Sequence, residues 1–284
     1  GIAMPMIVLS ATAPLLQYWF SLSGHPRAAD PYFLYAVSNL GSFGALLAFP
    51  FVLEPTLPLA SQSILWGTLF CFAVVMILGC GYLVRDGKPA PATVVQGKES
   101  SANAVSTPSQ WLWWMALSAV PCSLLAGITT LITTDIGSLP LLWVMPLMVF
   151  LGTFILAFAG IRLFSAMLQR VLTTGAIVGT VIVTINDTGD FLGFEIDSVA
   201  FLVPFFLTVQ FIFSFACNKA LYNRRPETAS LTGFYVAVAV GGLMGGAFNA
   251  VVAPFIFTNP AEFSIALVLA LALSRQKSDL FLPV

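Results

Sequence analysis

Long apolar runs separated by short polar segments dominate the hydropathy pattern of this chain of 284 residues. A window of membrane-spanning length finds such runs at residues 1–20, 32–53, 62–84, 111–133, 138–160, 171–186, 198–217, 232–257 and 263–274. The sixth run reaches the length of a span only if the amphipathic residues 163–169 join it. The apolar positions do not alternate with period two, and the runs exceed the length of barrel strands, about ten residues. The pattern therefore predicts an all-α, polytopic membrane protein with about nine transmembrane helices.

The composition supports a membrane protein and argues against a soluble domain. Apolar residues make up 58% of the chain and charged residues only 8%, whereas a soluble domain is about a quarter charged. Many of the 18 prolines and 22 glycines are scattered through apolar stretches, where a membrane bundle can re-satisfy the backbone around them. A net charge of -1 from so few groups gives no sign of a nucleic-acid partner. The apolar runs are therefore predicted to lie in a lipid bilayer.

The positions of the charges predict the orientation. All 11 Lys and Arg residues follow odd-numbered runs: Arg27, Arg85, Lys88, Lys98, Arg162, Arg170, Lys219, Arg224, Arg225, Arg275 and Lys277. The intervening loops carry only acids: Glu54, Asp135, Asp187, Asp190, Glu195, Asp197 and Glu262. By the positive-inside rule, the basic loops and the C-terminus are cytoplasmic and Gly1 is outside.

An outside Gly1 at the start of an apolar run suggests that helices precede it. Three upstream helices would give the twelve-helix count of a major-facilitator-type bundle, which has two six-helix halves. The first three spans, within residues 1–85, would then end the N-terminal half. Residues 86–110 would form a cytoplasmic linker, and residues 111–284 would form the C-terminal half.

Several stretches have the appearance of family landmarks. In the first part these are LSATAPLLQYWF at 9–20, DPYFLYAVSNLGS at 30–42, and AFPF at 48–51 leading to Glu54-Pro55. Later come TTD at 133–135, PLLWVMPL at 140–147, RPE at 225–227, LTGFY at 231–235 and GGLMGGAFN at 241–249. Together they resemble the membrane part of the bacterial fused major-facilitator-type transporter and spermidine-synthase-like proteins, over nearly the whole chain.

That resemblance implies a multi-pass protein of the bacterial inner membrane. Members of the family usually begin about three helices earlier, and they end in a cytoplasmic aminopropyltransferase-like domain that these 284 residues do not contain. The chain is therefore expected not to be an enzyme. The resemblance implies a secondary transporter, and the fused domain of the family suggests a small cation such as a polyamine. The alternative is a non-transporting subunit that packs against other membrane proteins.

Motifs for cofactor and metal chemistry are missing from the sequence. Gly79-Cys80-Gly81 does not continue as a dinucleotide-binding turn, and no phosphate-binding loop motif is present. The four cysteines lie far apart in apolar runs, and His25 is the single histidine, so we expect neither a cofactor nor a metal site. Paired carboxylates within the spans are also missing, which argues against an intramembrane enzyme.

Polar residues at or near the membrane are the candidates for a substrate pathway. Asp135 with Trp143 could bind a cation through charge and the aromatic face, with Glu54 as a partner carboxylate. Asn39, Thr130 and Asn249 could line the route. The alternative is that the two acids only mark outside loops and that the neutral groups form hydrogen bonds between helices.

Gly241, Gly242, Gly245 and Gly246 form overlapping small-xxx-small pairs in the eighth run. This spacing predicts close packing against a neighbouring helix, and a flexible hinge is the alternative.

Overall fold

The structure is a computed structural model that describes residues 3–28, 30–85, 107–133, 142, 144–161, 163–185, 190–191, 194–195, 199–226, 230–257 and 261–275. The described part of the chain is mainly helical. It divides into two compact units. Unit 1 contains Gly1–Thr107 with Pro226–Tyr235, and unit 2 contains Pro108–Arg225 with Val236–Val284. The predicted division into two six-helix halves stays a prediction.

Unit 1 is built from the first three apolar runs. Its helices are α1 (Ala3–Leu22), α2 (Phe33–Ala48), α3 (Glu54–Thr56) and α4 (Leu59–Arg85). Helix α1 packs against both α2 and α4. At one such contact, a Cβ on Gly81 would lie 2.9 Å from Cη2 of Trp19, so glycine lets the indole ring rest on α4.

Unit 2 is arranged around one long helix. Its helices are α5 (Pro108–Leu131), α6 (Val144–Phe158), α7 (Ala166–Ile185), α8 (Val199–Asn223), α10 (Ala253–Ile256) and α11 (Ala261–Arg275). Most of α9 (Leu231–Ala247) also belongs to it, and strands β1 (Asp190–Phe191) and β2 (Phe194–Glu195) form a small antiparallel pair. Helix α8 packs against α5, α6, α7 and α11. Its side chains from Ile212 to Asn218 are all buried, which makes it the centre of the unit.

Each of the nine apolar runs coincides with helix in the described residues. Five helical segments there are long and apolar enough to cross a membrane: Phe33–Thr56, Leu59–Val84, Pro108–Leu131, Ala200–Asn223 and Leu231–Ile256. Two shorter apolar helices span Val144–Phe158 and Met167–Val183. The helical, membrane-embedded class is therefore supported by the structure, whereas the count of nine spans and the major-facilitator-like bundle stay predictions.

One helix begins earlier than its apolar run. The run predicted at 171–186 becomes α7, which starts at Ala166 and includes the polar residues Gln169 and Arg170. The Ser165 hydroxyl accepts a hydrogen bond from the backbone N–H of Leu168 at 3.2 Å, in the position of an N-terminal cap. The cap lets the helix extend through the amphipathic stretch that the prediction needed for membrane length.

Two helices widen into π-helical turns close to prolines. One turn, Phe49–Leu53, joins α2 to α3 and contains Pro50. The other, Phe248–Val252, joins α9 to α10 and comes just before Pro254. Proline has no N–H to donate within a helix, so the hydrogen-bond pattern near it has to change. Both segments remain helical through the turn.

Candidate functional site

A buried polar line runs along α8. Gln210, Ser214 and Asn218 are each 0% exposed, although they lie within an apolar span. Their spacing of four residues places the three side chains on one face of the helix. At 1.5 Å per residue, the line extends for about 12 Å. This acceptor line, defined by these three residues, is the most concentrated set of buried polar groups in unit 2.

Two side chains of the acceptor line donate hydrogen bonds to helix α6. The Gln210 Nε2 group donates to the backbone oxygen of Pro146 at 2.9 Å. Two turns along α8, Asn218 Nδ2 donates to Thr153 Oγ1 at 3.0 Å. The Thr153 hydroxyl in turn donates to the backbone oxygen of Phe150 at 2.7 Å. These bonds fix the orientation of the Gln210 and Asn218 amides, because the nitrogen of each one donates a hydrogen bond.

The oxygen atoms of the same line have no partner within the described residues. Gln210 Oε1, Ser214 Oγ and Asn218 Oδ1 are all buried there without a hydrogen bond. An unsatisfied polar atom in an apolar medium costs free energy, because it has lost its bonds to water. Stacked oxygen acceptors can be satisfied by N–H or O–H donors or by a cation. The acceptor line is therefore a candidate binding surface for a donor-rich or positively charged solute.

Asn249 is already engaged by neighbours in unit 2. Its Nδ2 donates to Ser123 Oγ at 2.5 Å and to the backbone oxygen of Gly245 at 3.1 Å. Ser123 lies on α5, so the bond joins the π-helical turn after α9 to that helix. Thr130 lies seven residues further along α5 than Ser123, which is about 10 Å, and it is exposed. These two predicted pathway residues do not meet at one point.

Asn39 and Glu54 lie on the same helical segment of unit 1. Asn39 Nδ2 donates to the backbone oxygen of Tyr35 at 2.8 Å, one turn back. Glu54 begins α3 and is exposed. Their separation of fifteen positions corresponds to about 22 Å of helix. Asp135 and Trp143 lie outside the described residues, so the predicted cation site between them stays a prediction.

The glycines of α9 lie against α5 inside unit 2. A Cβ on Gly241 would lie 2.3 Å from the backbone oxygen of Met115, and one on Gly245 would lie 2.1 Å from that of Ala119. A Cβ on Gly242 would meet Cys122 Sγ at 3.2 Å, whereas around Gly246 nothing lies within 4 Å. The backbones of α5 and α9 therefore approach closely along Gly241 and Gly245.

Basic and aromatic side chains gather at the C-terminal end of α8. The guanidinium of Arg225 lies 3.9 Å from the ring centre of Tyr222, and that of Arg224 lies 4.9 Å from the ring centre of Trp113. Trp114 Nε1 donates to the backbone oxygen of Arg224 at 2.9 Å. Partial burial lowers the pKa of Arg224 from its usual value, although arginine stays protonated in proteins. This end of the helix has the mixture typical of a membrane–water boundary.

Groups with metal-binding chemistry do not cluster in the described part of the chain. Three or more His, Cys, Asp or Glu side chains are nowhere close enough there to hold a metal ion. The four cysteines, Cys71, Cys80, Cys122 and Cys217, are free thiols.

Part of this site has a usable signal in the sequence. Gln210 and Ser214 lie in an apolar run and Asn218 directly follows it, and their spacing of four residues places them on one face of a helix. None of the three is among the predicted pathway residues. Thr153 gives no sequence signal, since it becomes relevant only through the packing of α6 on α8.

Comparisons with known proteins do not assign the chain to a family. No protein-family model matches the sequence, and no curated protein or solved structure is significantly similar to it. The resemblance to the fused transporter and spermidine-synthase-like proteins therefore stays a prediction from the sequence.

Proposed function

We propose that this protein is a membrane transporter that moves a small cationic solute, such as a polyamine. The acceptor line on α8 is the observation that supports this proposal most directly. It offers uncharged oxygen atoms inside an apolar span, and such oxygens can replace the hydration shell of a cation. The polyamine itself comes only from the family resemblance, and so does the bacterial inner membrane.

The acceptor line suits an ammonium better than an anion. Two of its three free atoms, the amide oxygens of Gln210 and Asn218, can only accept, whereas the Ser214 hydroxyl can also donate. The amide nitrogens that could bind an anion already donate to α6. An alkylammonium carries several N–H donors and could bond to successive oxygens as it moves. Hydrogen bonds to charged groups are worth about 1.5–3 kcal/mol each, enough to offset part of its dehydration.

Uptake into proteoliposomes tests this proposal. Purified protein is reconstituted, and entry of radiolabelled putrescine and spermidine is compared with entry into protein-free liposomes. Ser214→Ala removes one free oxygen of the line, and we expect about tenfold lower uptake from the loss of one charge-assisted bond. Thr208→Val is the matched control, because Thr208 lies on an exposed face of α8. Folded protein that gives no uptake above the protein-free background would contradict the proposal.

Asp135→Asn is a second variant in the same uptake experiment. Asp135 is the carboxylate that the sequence predicts to bind the cation, and it lies next to the Thr-rich end of the fourth run. If it binds the cation before transport, the substitution raises the concentration needed for half-maximal uptake. Unchanged uptake would remove Asp135 from the pathway and leave the role of the acceptor line standing.

A non-transporting subunit of a larger membrane complex is the second candidate function. The observation in its favour is α4, where none of the most apolar window between Leu59 and Val84 is buried. Trp66, Leu78 and Leu83 are 65%, 67% and 74% exposed, so the helix could lie against lipid or against another protein. Native mass spectrometry of gently solubilised protein separates the two candidates. A stoichiometric partner together with absent uptake favours the subunit.

A further inference from the structure

Unit 1 contains a second group of buried polar atoms, contributed by α1 and by the first turns of α9. Gln17, on α1, is 1% exposed, and within the described residues neither atom of its amide makes a hydrogen bond. The hydroxyl of Tyr235 at the start of α9 is also buried there without a partner. The Gln17 amide lies close enough to the Tyr235 hydroxyl to act on it as a hydrogen-bond partner. Because this contact is too loose to meet hydrogen-bond geometry, the buried amide and phenol keep unused hydrogen-bonding capacity and form an incomplete polar site.

Aromatic rings surround this pair. The ring centre of Tyr235 lies 5.2 Å from that of Tyr35 and 6.1 Å from that of Tyr32. Tyr32 is fixed in place, because its hydroxyl donates to the backbone oxygen of Pro226 at 2.7 Å and its ring stands edge-on to Phe234. The three rings therefore form a wall whose position is set by the packing of unit 1.

The chemistry of the group is electron-rich. Gln17 Oε1 and the Tyr235 oxygen can accept hydrogen bonds, Gln17 Nε2 and the phenol O–H can donate them to one another, and the ring faces of tyrosine attract cations. A carboxylate, Asp30, also acts electrostatically on the Tyr235 hydroxyl. Acceptors, ring faces and a nearby negative charge together favour a positively charged ligand that carries N–H donors.

We propose that Gln17, Tyr32, Tyr35 and Tyr235 form a binding site for a small organic ammonium ion. The ammonium would donate to Gln17 Oε1 and to the Tyr235 oxygen while its charge lies against the tyrosine rings. This inference shares with the proposed function the idea that the solute is a cation. It does not depend on transport, because equilibrium binding at this site does not require it.

Thermal stabilisation of the purified, full-length chain measures this binding. A ligand that binds only the folded protein raises the unfolding temperature, because it stabilises that state by RT ln(1 + [L]/Kd). The probes are 1,4-diaminobutane, the uncharged 1,4-butanediol at equal concentration, and sodium chloride at equal ionic strength. We expect stabilisation by the diamine alone, which rises with the logarithm of its concentration once that exceeds Kd. Equal stabilisation by butanediol or by sodium, or none by any probe, would overturn the proposal.

Three variants locate the site. Tyr235→Phe removes one oxygen and keeps the ring, and Gln17→Leu removes the amide. Each should weaken diamine binding by about tenfold, the value of one hydrogen bond to a charged group. Tyr82→Phe makes the same chemical change at an exposed tyrosine of unit 1 and should leave binding unchanged. Diamine affinity that is unaltered in Tyr235→Phe would overturn the proposal, whatever the fate of Gln17→Leu.

The binding and uptake experiments fail independently of one another. Diamine binding that depends on Tyr235, in protein that gives no uptake, would support this site and remove the proposed transport. Uptake that proceeds with no Tyr235-dependent binding would retain the transport and overturn this site.

Discussion

Ser214 and Ser118 show how two buried serines of unit 2 can have opposite roles. Ser214 Oγ has no hydrogen bond within the described residues, whereas Ser118 Oγ donates to the backbone oxygen of Val238 at 2.7 Å. Both side chains are at least 98% buried, because Ser214 is 0% and Ser118 is 2% exposed. The buried Ser214 oxygen without a bond lowers the stability of the folded state, whereas the hydrogen bond of Ser118 raises it.

Alanine at each position separates these roles. We expect Ser214→Ala to leave the free energy of unfolding unchanged or to raise it by about 1 kcal/mol, because no bond is lost. Ser118→Ala should lower it by about 1 kcal/mol, the usual value of a hydrogen bond between membrane helices. Reversible unfolding in mixed detergent micelles measures both. Equal losses for the two variants would mean that Ser214 has a structural partner.

At the scale of elements, the contact between α5 and α9 depends on two glycines. Alanine at Gly245 would place its Cβ 2.1 Å from the Ala119 oxygen, so the two helix backbones would have to separate. We expect Gly245→Ala to destabilise the protein by about 1–3 kcal/mol, as over-packing does elsewhere. Gly246→Ala is the control, since nothing lies within 4 Å of its Cβ position. Reversible unfolding in mixed detergent micelles measures both variants. Equal free energies of unfolding would contradict close packing of α5 and α9.

The helices themselves could be predicted from the apolar runs, because membrane length and continuous apolarity leave few alternatives. The start of α7 could not, since it depends on the Ser165 cap rather than on hydropathy. Contacts between distant segments were also beyond the sequence. Tyr32 and Pro226 are 194 residues apart, and no periodicity signals that they meet. The same holds for Gln17 and Tyr235, so that polar pair was not among the predicted site residues.

At the scale of the whole molecule, the orientation follows from the charges alone. The basic loops and the C-terminus are predicted to be cytoplasmic. Green fluorescent protein fused after Val284 should therefore fluoresce in bacteria, because it folds only in the cytoplasm, and alkaline phosphatase at the same point should be inactive. Active phosphatase with a dark fluorescent fusion would reverse the orientation of every loop.

Access of water-soluble reagents to the acceptor line tests the central claim of a transport pathway most directly. Ser214→Cys and Phe213→Cys are compared in protein whose four native cysteines are replaced by alanine, since residues 213 and 214 are both 0% exposed. In membrane vesicles, a cationic methanethiosulfonate should label Ser214→Cys as the pathway opens, and putrescine should slow the labelling. Phe213→Cys should remain unlabelled. Equal labelling of the two positions, or none at either, would contradict a solute pathway along α8.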